Sequence, residues 1–402
     1  MKILIYVPVV ILDGEGGVAT HVRELAENLL KLGNEVTIVC RLRNRTYRSS
    51  ASIKRIKTPN VKVIGIIFST ISGLLFGTWT LARENYDLIY TRAGLSASAW
   101  FISRLAKVPY VTEVNGLIWD EAKISWVGWW RKTFGYFLNW IEGKAYRRSQ
   151  RVVAVTPRIK EVLVAEYGME TDKIAVIPNA ANTVLFKPMD TKQARKQLNL
   201  PELCYLIVFV GHLAAWQGVE YLIRSAPYIL KGYPESKFLI VGDGTMKQGL
   251  IELTQRIQVS DRMIFTGRVP YDKVPLYINA SDVCVAPFIK ERNERSGVSP
   301  LKIYEYGACG KAIVTSRLPG LEFVEQYETG VLIQPDNAEE LANAIVKLFK
   351  DEGLRRQMGE NGRKYVVKNH SWDSLARRVA EVCQQALENY TRQPEVKFGP
   401  DQ

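Results

Sequence analysis

The sequence lacks the residue clusters from which a metal centre or a disulfide framework is built. Its five cysteines are scattered along 402 residues without a C-x-x-C pair, and its three histidines are widely separated, so no zinc site is expected. The odd number of cysteines and the absence of a secretory signal at the start favour a reducing, cytoplasmic setting. No D-x-D sequence occurs either, so we expect neither a metal nor another cofactor.

Acidic residues are scarce in the N-terminal half. The net charge is +13, and residues 1–182 supply most of it, with 25 Lys and Arg against 15 Asp and Glu. Residues 41–62 alone carry eight basic residues and no acidic one. Such a distribution indicates either a solvated face or contact of this half with an anionic surface, which can be nucleic acid or a membrane.

An uncharged apolar segment follows the basic run. Val63–Ala82 is about long enough to span a bilayer, but hydroxyl residues and three glycines interrupt it, and an apolar strand pattern follows almost at once. We therefore expect a strand at its start, residues 61–66, and a buried or interfacial helix after it, rather than a transmembrane span.

The next segment combines aromatic and basic residues. Five of the nine tryptophans lie between residues 119 and 140. Helical spacing predicts one core-facing side, made of Ile124, Val127, Phe134, Phe137 and Ile141. Four of these tryptophans, Trp126, Trp129, Trp130 and Trp140, accompany Arg131, Lys132, Arg147 and Arg148, a mixture that suits a lipid headgroup layer. Trp126, Trp129, Arg131 and Lys132 are thus candidate acceptor or membrane residues, although ordinary helix packing explains them equally well.

Short apolar runs alternate with helical patterns along the chain, which is typical of parallel sheets flanked by helices. A polar, proline-bearing segment, residues 179–190, separates two such series. The sequence predicts an α/β fold of two Rossmann-like doubly wound domains facing across a cleft, with an N-terminal domain at 1–182 and a C-terminal domain at 183–370. The predicted strands are 2–7, 35–40, 61–66, 87–92, 109–114, 151–156 and 173–178, then 204–211, 237–244, 263–267, 283–288, 311–316 and 330–335.

Residues 14–19, GEGGVA, match the G-x-G-x-x-A spacing of the dinucleotide fingerprint. In a dinucleotide-binding unit the first glycine turns directly out of the strand, and an acidic residue ends the second strand. Here Pro8 and five further residues precede Gly14, and the second strand runs into Arg41, Arg43 and Arg45. The pattern argues against an NAD enzyme, which leaves another phosphate-bearing ligand or a simple chain turn.

Two later loops repeat the combination of a strand, glycines and a helix. One is VGDG, residues 241–244, and the other is GVSPLKIYEYGACGKAIV, residues 297–314. In the second, Ser299 and Pro300 open a helix that bears Lys302 and Glu305. Helix N-termini approached by glycines bind anions through backbone N–H groups, and Glu305 is placed to accept hydrogen bonds from a ribose diol. We expect the three loops to converge on a nucleotide in the cleft.

With these loops in place, the chain resembles the family 4 glycosyltransferases, retaining enzymes of the GT-B fold, over nearly its whole length. The resemblance is carried by GGVATHVRELAENLLKLGNEVTIV, VIPNAANTVLFKP, FVGHLAAWQGVEYLIRSA, LIVGDG, SPLKIYEYGACGKAIV and NHSWDSLARRV. It implies a nucleotide-sugar donor in the C-terminal domain and a final helix, about residues 371–390, that packs back on the N-terminal domain. The implied donor-binding residues are Gly16, Gly17, His212, Gln217, Gly242, Gly244, Arg268, Val269, Ser299, Pro300, Leu301 and Glu305.

The chain departs from the family pattern at positions that matter. The family's E-x7-E motif keeps its second glutamate as Glu305, but Gly297 stands in place of the first. The arginine and lysine that grip the diphosphate in the family correspond to His212 and Gln217. The histidine that often follows the fifth N-terminal strand corresponds to Asn115.

Paired phosphates need charge compensation, so other cations must replace the missing ones. We expect Lys302, with Arg295 or Arg292, to stabilise the leaving diphosphate, and Asn115 to contact the sugar or the acceptor, although an Asn-Gly turn explains Asn115 equally well. The predicted catalytic residues are therefore Asn115, Lys302 and Arg295. The resemblance implies that the leaving phosphate deprotonates the incoming hydroxyl, so that the protein mainly positions groups and stabilises charge without a metal.

The expected function is transfer of a hexosyl or N-acetylhexosaminyl group to a membrane-associated acceptor, either lipid-linked or a glycan. UDP-sugars are favoured as donors because they are common in the resembled family. The basic N-terminal half predicts peripheral binding to the anionic inner face of the cell membrane. A nonenzymatic protein that binds sugar nucleotides or glycans is the alternative, because the cations and the glutamate are lost. No recognisable nucleic-acid-binding module occurs, so a nucleic-acid partner is not expected.

Overall fold

The structure, a computed structural model, describes residues 1–44, 46–56, 62–117 and 130–392. The chain divides into two compact units. One comprises Met1–Ile177 together with Leu375–Gln402, and the other comprises Pro178–Ser374.

The first unit is built on a seven-stranded parallel sheet with the order β3-β2-β1-β4-β5-β6-β7. Its strands are runs of apolar residues, because helices cover both faces of such a sheet. The order on either side of β1 is that of a doubly wound Rossmann sheet. The strands are β1 (Lys2–Ile11), β2 (Glu35–Arg41), β3 (Ser52–Arg55), β4 (Leu88–Arg92), β5 (Tyr110–Val114), β6 (Arg151–Ala154) and β7 (Ile174–Val176).

Among the described residues of this unit, five helices lie between the strands. They are α1 (Gly17–Lys31), α2 (Lys62–Arg83), α3 (Ser96–Ala106), α4 (Trp130–Arg148) and α5 (Pro157–Ala165). Glycines let α2 lie close to the sheet: a Cβ added at Gly73 would come within 2.6 Å of Pro8 Cβ, and one at Gly77 within 3.0 Å of the Tyr6 ring. One side of α2 is therefore held tightly against β1.

The strand predicted at residues 61–66 is wrong, because residues 62–66 are the first turns of α2. Val63 and Ile64 give this run a strand-like composition, and a short apolar run alone does not distinguish a strand from a buried helix. The edge strand next to β2 is instead β3, whose sequence SIKR has no apolar pattern to reveal it. Its polar residues suit the edge of the sheet, where β3 lies.

Two further points concern the same region. The first strand is longer than predicted, since β1 continues through Pro8 to Ile11, with a register shift against β2 after Tyr6. In the part of the chain that the structure describes, no helix is both long and apolar enough to cross a membrane.

The second unit contains a six-stranded parallel sheet with the order β10-β9-β8-β11-β12-β13, which is again the doubly wound order. The strands are β8 (Leu206–Val210), β9 (Lys237–Val241), β10 (Met263–Gly267), β11 (Val283–Ala286), β12 (Ala312–Ser316) and β13 (Gly330–Ile333). The helices are α6 (Thr191–Gln197), α7 (Val219–Leu230), α8 (Lys247–Arg256), α9 (Val274–Ala280), α10 (Lys290–Ser296), α11 (Leu301–Ala308), α12 (Phe323–Gln326), α13 (Ala338–Lys350) and α14 (Glu352–Asn369). The prediction of two Rossmann-like α/β domains is confirmed.

A last helix, α15 (Trp372–Arg392), begins in the second unit and belongs to the first from Leu375 onward. Within the first unit, the Arg378 guanidinium donates a 2.6 Å hydrogen bond to the Val176 carbonyl.

Candidate functional site

The loops after β8 and β9 approach each other so closely that only glycines fit. A Cβ at Gly242 would lie 1.9 Å from the Gly211 carbonyl oxygen, and one at Gly244 would lie 2.3 Å from the Leu213 carbonyl oxygen. Gly211 and Gly242 also have φ values of 146° and 139°, a region that L side chains rarely adopt. His212 joins the two loops through its Nδ1, which is 2.8 Å from the Asp243 carbonyl oxygen. These glycines shape the backbone at the carboxyl edge of the sheet.

Lys302 is a buried cation of the second unit. It lies in the first turn of α11, and its Nζ donates a 2.7 Å hydrogen bond to Gln217 Oε1. The ammonium group also lies 3.8 Å from the centre of the Phe209 ring. Desolvation by burial lowers the pKa of Lys302 to about 7, although the charge of Glu305 opposes this shift.

The position of Lys302 depends on a glycine. A Cβ at Gly211 would come within 2.5 Å of Lys302 Nζ. The resemblance implies that Gln217 stands in place of a diphosphate-binding lysine, and the role of Lys302 as the replacing cation stays a prediction. The structure thus brings together two residues, Gln217 and Lys302, that are 85 positions apart in the sequence.

The start of α11 is fixed by Ser299 and Pro300. Ser299 Oγ accepts a 2.8 Å hydrogen bond from the Asn179 backbone N–H and is 3.1 Å from the Tyr304 hydroxyl. Pro300 occupies the N-cap position of α11, and no side chain caps the helix that begins at Leu301. Glu305 lies one turn further on and is buried.

The remaining predicted donor residues of this unit follow β10. The Gly267 carbonyl accepts a 2.9 Å hydrogen bond from the Gly242 N–H, which ties the end of β10 to the loop after β9. Arg268 is exposed, and Val269 is half-buried against the core. Because all the strands are parallel, these residues share the carboxyl edge with the loops after β8 and β9.

Helix α10 carries the predicted arginines. The Arg292 guanidinium stacks 4.7 Å from the centre of the Trp216 ring, and Arg295 lies half-buried in the last turn. Gly297, which follows the helix, has φ 64° and ψ −179°, a conformation almost exclusive to glycine. A glutamate here, which the resemblance implies for the family, would strain this backbone conformation.

In the first unit, the glycine loop forms an open helix N-terminus. Gly16 is the N-cap of α1, both Gly16 and Gly17 are exposed, and the first turn contains no acidic residue. Arg23, which sequence reasoning missed, holds the loop from beneath: its guanidinium donates hydrogen bonds of 2.6 Å and 2.8 Å to the carbonyls of Leu12 and Gly14. Arg23 therefore fixes the shape of the loop, and the start of α1, which no side chain caps, suits an anion.

A buried carboxylate, Glu113 at the end of β5, organises the second cluster of this unit. It lies 2.9 Å from His21 Nε2 and 3.0 Å from an Arg92 guanidinium nitrogen, and it accepts a 2.5 Å hydrogen bond from the Tyr90 hydroxyl. Asn115 Nδ2 donates to the same carboxylate. This fixes the amide of Asn115 with its nitrogen toward Glu113, which leaves Oδ1 as the acceptor atom that the side chain offers to a ligand.

The charge of Glu113 is well compensated. Burial by itself raises the pKa of this carboxyl, but the charges of His21 and Arg92 and the hydrogen bonds from His21 and Tyr90 outweigh burial and hold the pKa well below its ordinary value. His21, Tyr90 and Arg92 are residues that sequence reasoning missed. A glutamate at the end of an otherwise apolar strand was the one signal that pointed to them.

The candidate acceptor residues are described only in part. Trp126 and Trp129 lie outside the described residues, and Arg131 and Lys132 occupy the first turn of α4. Phe137 was expected to face the core, but its side chain is exposed, so that prediction is wrong. The helix turns this side chain outward, where it stacks on Trp140 with ring centres 6.1 Å apart.

Potential metal ligands are dispersed. Across the ranges that the structure describes, three or more His, Cys, Asp or Glu side chains are nowhere grouped as a metal ion would require. A metal-independent reaction stays a prediction.

The chain contains two doubly wound sheets. In the second unit, glycine-containing loops and a buried cation lie at the carboxyl edge of the sheet. These features are typical of the class of proteins that bind phosphate-bearing nucleotides. Residues 15–185 match the model of Glycosyltransferase Family 4, and residues 190–365 match that of Glycosyl transferases group 1. The chain belongs to the family 4 glycosyltransferases, and the predicted resemblance is confirmed.

Individual relatives agree with this assignment. The chain is 25% identical over 393 residues to an uncharacterized glycosyltransferase of Methanocaldococcus jannaschii, covering 93% of this chain and 95% of the relative. It is 27% identical over 310 residues to the UDP-Gal:alpha-D-GlcNAc-diphosphoundecaprenol alpha-1,3-galactosyltransferase of Escherichia coli, covering 75% of each. Its fold is similar to that of sucrose-phosphate synthase from Thermosynechococcus elongatus, with a TM-score of 0.82 and 24% identity over 96% of this chain and 99% of that one.

Proposed function

We propose that this glycosyltransferase moves a hexosyl or N-acetylhexosaminyl group from a UDP-sugar to a lipid-linked acceptor, with retention of configuration and without a bound metal. It acts peripherally at the inner face of the cell membrane. The observation that carries the donor half of the proposal is the hydrogen bond between Lys302 and Gln217. The resemblance implies that Gln217 stands where the family has a diphosphate-binding lysine, so this contact supports a diphosphate site at Lys302.

The donor contacts follow from the second unit. Lys302 and Arg295 neutralise the diphosphate, the N–H groups at the start of α11 bind a phosphate oxygen, and Glu305 accepts hydrogen bonds from the ribose diol. Lys302 is well suited to this role because its buried ammonium donates a hydrogen bond to the neutral oxygen of Gln217. A bound diphosphate supplies the negative charge that this cation needs.

The reaction breaks the bond between the anomeric carbon and the diphosphate oxygen and forms a bond from that carbon to the acceptor oxygen on the same face. The proton of the acceptor hydroxyl goes to the leaving phosphate oxygen. The protein contributes position and charge stabilisation, from Lys302 and Arg295 on the diphosphate. In the first unit, Asn115 Oδ1 accepts a hydrogen bond from a sugar or acceptor hydroxyl.

Two observations support a lipid-linked acceptor. The E. coli relative is named for a diphosphoundecaprenol acceptor, and the basic charge of this chain is concentrated in residues 1–182. A cationic surface attracts anionic membranes and the phosphates of a lipid-linked substrate alike. The same relative is named for a UDP-sugar, which supports UDP as the donor nucleotide.

The first experiment identifies the donor. A thermal-shift screen across nucleotide sugars is expected to select UDP-sugars, because a ligand at 100 times its dissociation constant stabilises the folded state by about 2.7 kcal/mol. Calorimetry then compares the parent with Glu305→Gln, whose UDP affinity should fall by about 1.5–3 kcal/mol, the usual contribution of a hydrogen bond to a charged group. Unchanged UDP affinity in this variant would overturn the ribose assignment.

The second experiment tests the reaction. The selected donor is mixed with a lipid-linked sugar diphosphate, and release of UDP and the anomeric configuration of the product are measured. A retained configuration and activity in EDTA are expected. Binding of UDP-sugar without UDP release would favour a nonenzymatic binding protein, and an activity that EDTA abolishes and magnesium restores would overturn the metal-free mechanism.

A further inference from the structure

Three neighbouring helices of the first unit expose large apolar side chains. Helix α2 packs on α3, and α3 packs on α4. Leu75 on α2 is 71% exposed, Leu105 on α3 is 57% exposed and Trp140 on α4 is 54% exposed. The same helices expose Ile71, Trp79, Phe101, Tyr136 and Phe137. We call these eight residues the three-helix face.

The spacing of these residues shows that they form outward sides of the helices. On α2, Ile71, Leu75 and Trp79 follow one another at intervals of four residues, on the side away from Gly73 and Gly77, which contact Pro8 and Tyr6 of the sheet. Soluble monomers rarely expose large contiguous apolar patches, so a surface of this kind marks a contact with another apolar phase.

Charge identifies that phase. Helices α2, α3 and α4 together contain eight Lys and Arg but only one acidic residue, Glu142, and Glu142 is buried. Glu84, just after α2, is paired with Lys54. An apolar face with no exposed carboxylate on its own helices is complementary to a layer that combines hydrocarbon with negative charge.

Two cations of these helices, Arg83 and Lys144, lie close to exposed tryptophan rings. The Arg83 guanidinium is 4.4 Å from the centre of the Trp79 ring, and Lys144 Nζ is 3.9 Å from the centre of the Trp140 ring. Tryptophan rings with adjacent cations suit the headgroup region, where the ring enters the acyl boundary and the cation meets lipid phosphate.

We infer that the three-helix face docks this glycosyltransferase on an anionic lipid bilayer. The apolar side chains enter the outer part of the acyl layer, and Arg83, Arg104 and Lys144 contact lipid phosphates. The purpose of this docking rests on the proposed lipid-linked acceptor. The docking itself is tested without any acceptor.

The test is flotation with vesicles of phosphatidylglycerol and phosphatidylcholine in equal parts, and with vesicles of phosphatidylcholine alone, at low and high salt. The parent should float with the anionic vesicles at low salt. Arg83→Gln/Arg104→Gln/Lys144→Gln should weaken this binding on the order of a hundredfold, since each cation near an anionic surface contributes about a factor of five. Leu75→Ser/Leu105→Ser/Trp140→Ser should remove the part of the binding that persists at high salt, because salt screens charges but not apolar contacts.

A matched control changes exposed apolar residues of the second unit. Val184, Leu203 and Tyr228 are 82%, 96% and 45% exposed, and Val184→Ser/Leu203→Ser/Tyr228→Ser should bind vesicles like the parent. Equal loss in the control and in the three-helix variants would overturn the inference. Absence of parent binding to anionic vesicles would overturn it as well. If the parent is then a dimer that the Leu75→Ser/Leu105→Ser/Trp140→Ser changes dissociate, the three-helix face is a contact between two copies of the chain instead.

Calorimetry with UDP separates this inference from the proposed function. The three-helix variants should bind UDP as the parent does, because none of their changes lies in the second unit. Vesicle binding by a parent that neither binds UDP nor transfers sugar would leave the docking in place and remove the proposed donor. UDP-dependent transfer by a parent that does not bind vesicles would support the proposed donor and overturn the docking.

Discussion

Lys302 Nζ and Gln217 Oε1 are joined by a 2.7 Å hydrogen bond across the carboxyl edge of the second sheet. The resemblance implies a lysine at the position of Gln217, and we expect Lys302 to supply the cation in its place. Such an exchange predicts a specific pattern of mutational effects.

Exchange of the two side chains should preserve the site better than either single change. Lys302→Gln removes the cation and should lower UDP affinity by about 2–3 kcal/mol, whereas Gln217→Lys places two ammonium groups together and should also be harmful. The double variant restores one cation and one amide and should recover at least tenfold in UDP affinity over Lys302→Gln. The measurement is a double-mutant cycle by calorimetry.

The control for this cycle is Lys311, a half-buried lysine whose Nζ donates to Thr191 Oγ1 and to the Ser281 carbonyl. Lys311→Gln should reduce stability but leave the UDP affinity of the folded protein within twofold. A double variant no better than Lys302→Gln would contradict the exchange.

UDP binding should take up a proton near neutral pH. Burial lowers the pKa of Lys302 to about 7, so part of the population is neutral at pH 7.5, and an adjacent diphosphate favours the charged form. UDP should therefore bind more tightly at pH 6 than at pH 8. The binding enthalpy should vary with the ionisation enthalpy of the buffer, and Lys302→Gln should reduce this dependence. Equal proton uptake by parent and variant would show that another group titrates.

Glutamate at position 297 should not restore the family motif. Gly297 has φ 64° and ψ −179°, where any other residue is strained by about 1–3 kcal/mol. Gly297→Glu should therefore lower the free energy of unfolding by about that amount in urea titrations, without a gain in turnover. Gly232→Glu is the control, because a Cβ at exposed Gly232 meets nothing within 4 Å and its stability should change little. Higher activity in Gly297→Glu would show that the backbone adapts.

Glu113 should make the first unit sensitive to acid. Its pKa is held below the ordinary value, so its charge stabilises the fold above the pKa of the unfolded chain, and this stabilisation decreases as pH falls below about 4.5. Glu113→Gln leaves Arg92 without its buried carboxylate and should cost about 3–5 kcal/mol at pH 7. The variant should also lose the acid dependence that Glu113 contributes, which urea unfolding at pH 7 and pH 4 measures. Parallel pH dependence in parent and variant would contradict this role.

Local sequence patterns determined much of the fold. Twelve of the thirteen strands coincide with the short apolar runs 2–7, 35–40, 87–92 and their successors, because burial on both faces requires continuous apolar residues. Glycine spacing likewise identified the loops after β8 and β9, since close backbone approach at Gly242 and Gly244 excludes any side chain.

The predictions missed the features of the fold that depend on contacts between distant parts of the chain. The polar edge strand β3 is defined by its pairing with β2, and the helical state of residues 62–66 depends on the close packing of α2 against Tyr6 and Pro8 through Gly73 and Gly77. Neither property is present in a window of a few residues. The prediction that Phe137 faces the core was wrong for the same reason. Helical spacing identifies the two sides of a helix but not the side that packs against the sheet.

The sequence by itself determined the family and the two α/β domains, and that His212 and Gln217 replace the family's usual cations stays a prediction. Only the tertiary structure decided that Lys302 reaches Gln217, that Glu113 collects His21, Tyr90 and Arg92, and that three acid-poor helices expose one apolar face. The physical reason is that composition and spacing act over a few residues. The distances that assemble a site join side chains far apart in the chain, and folding alone sets them.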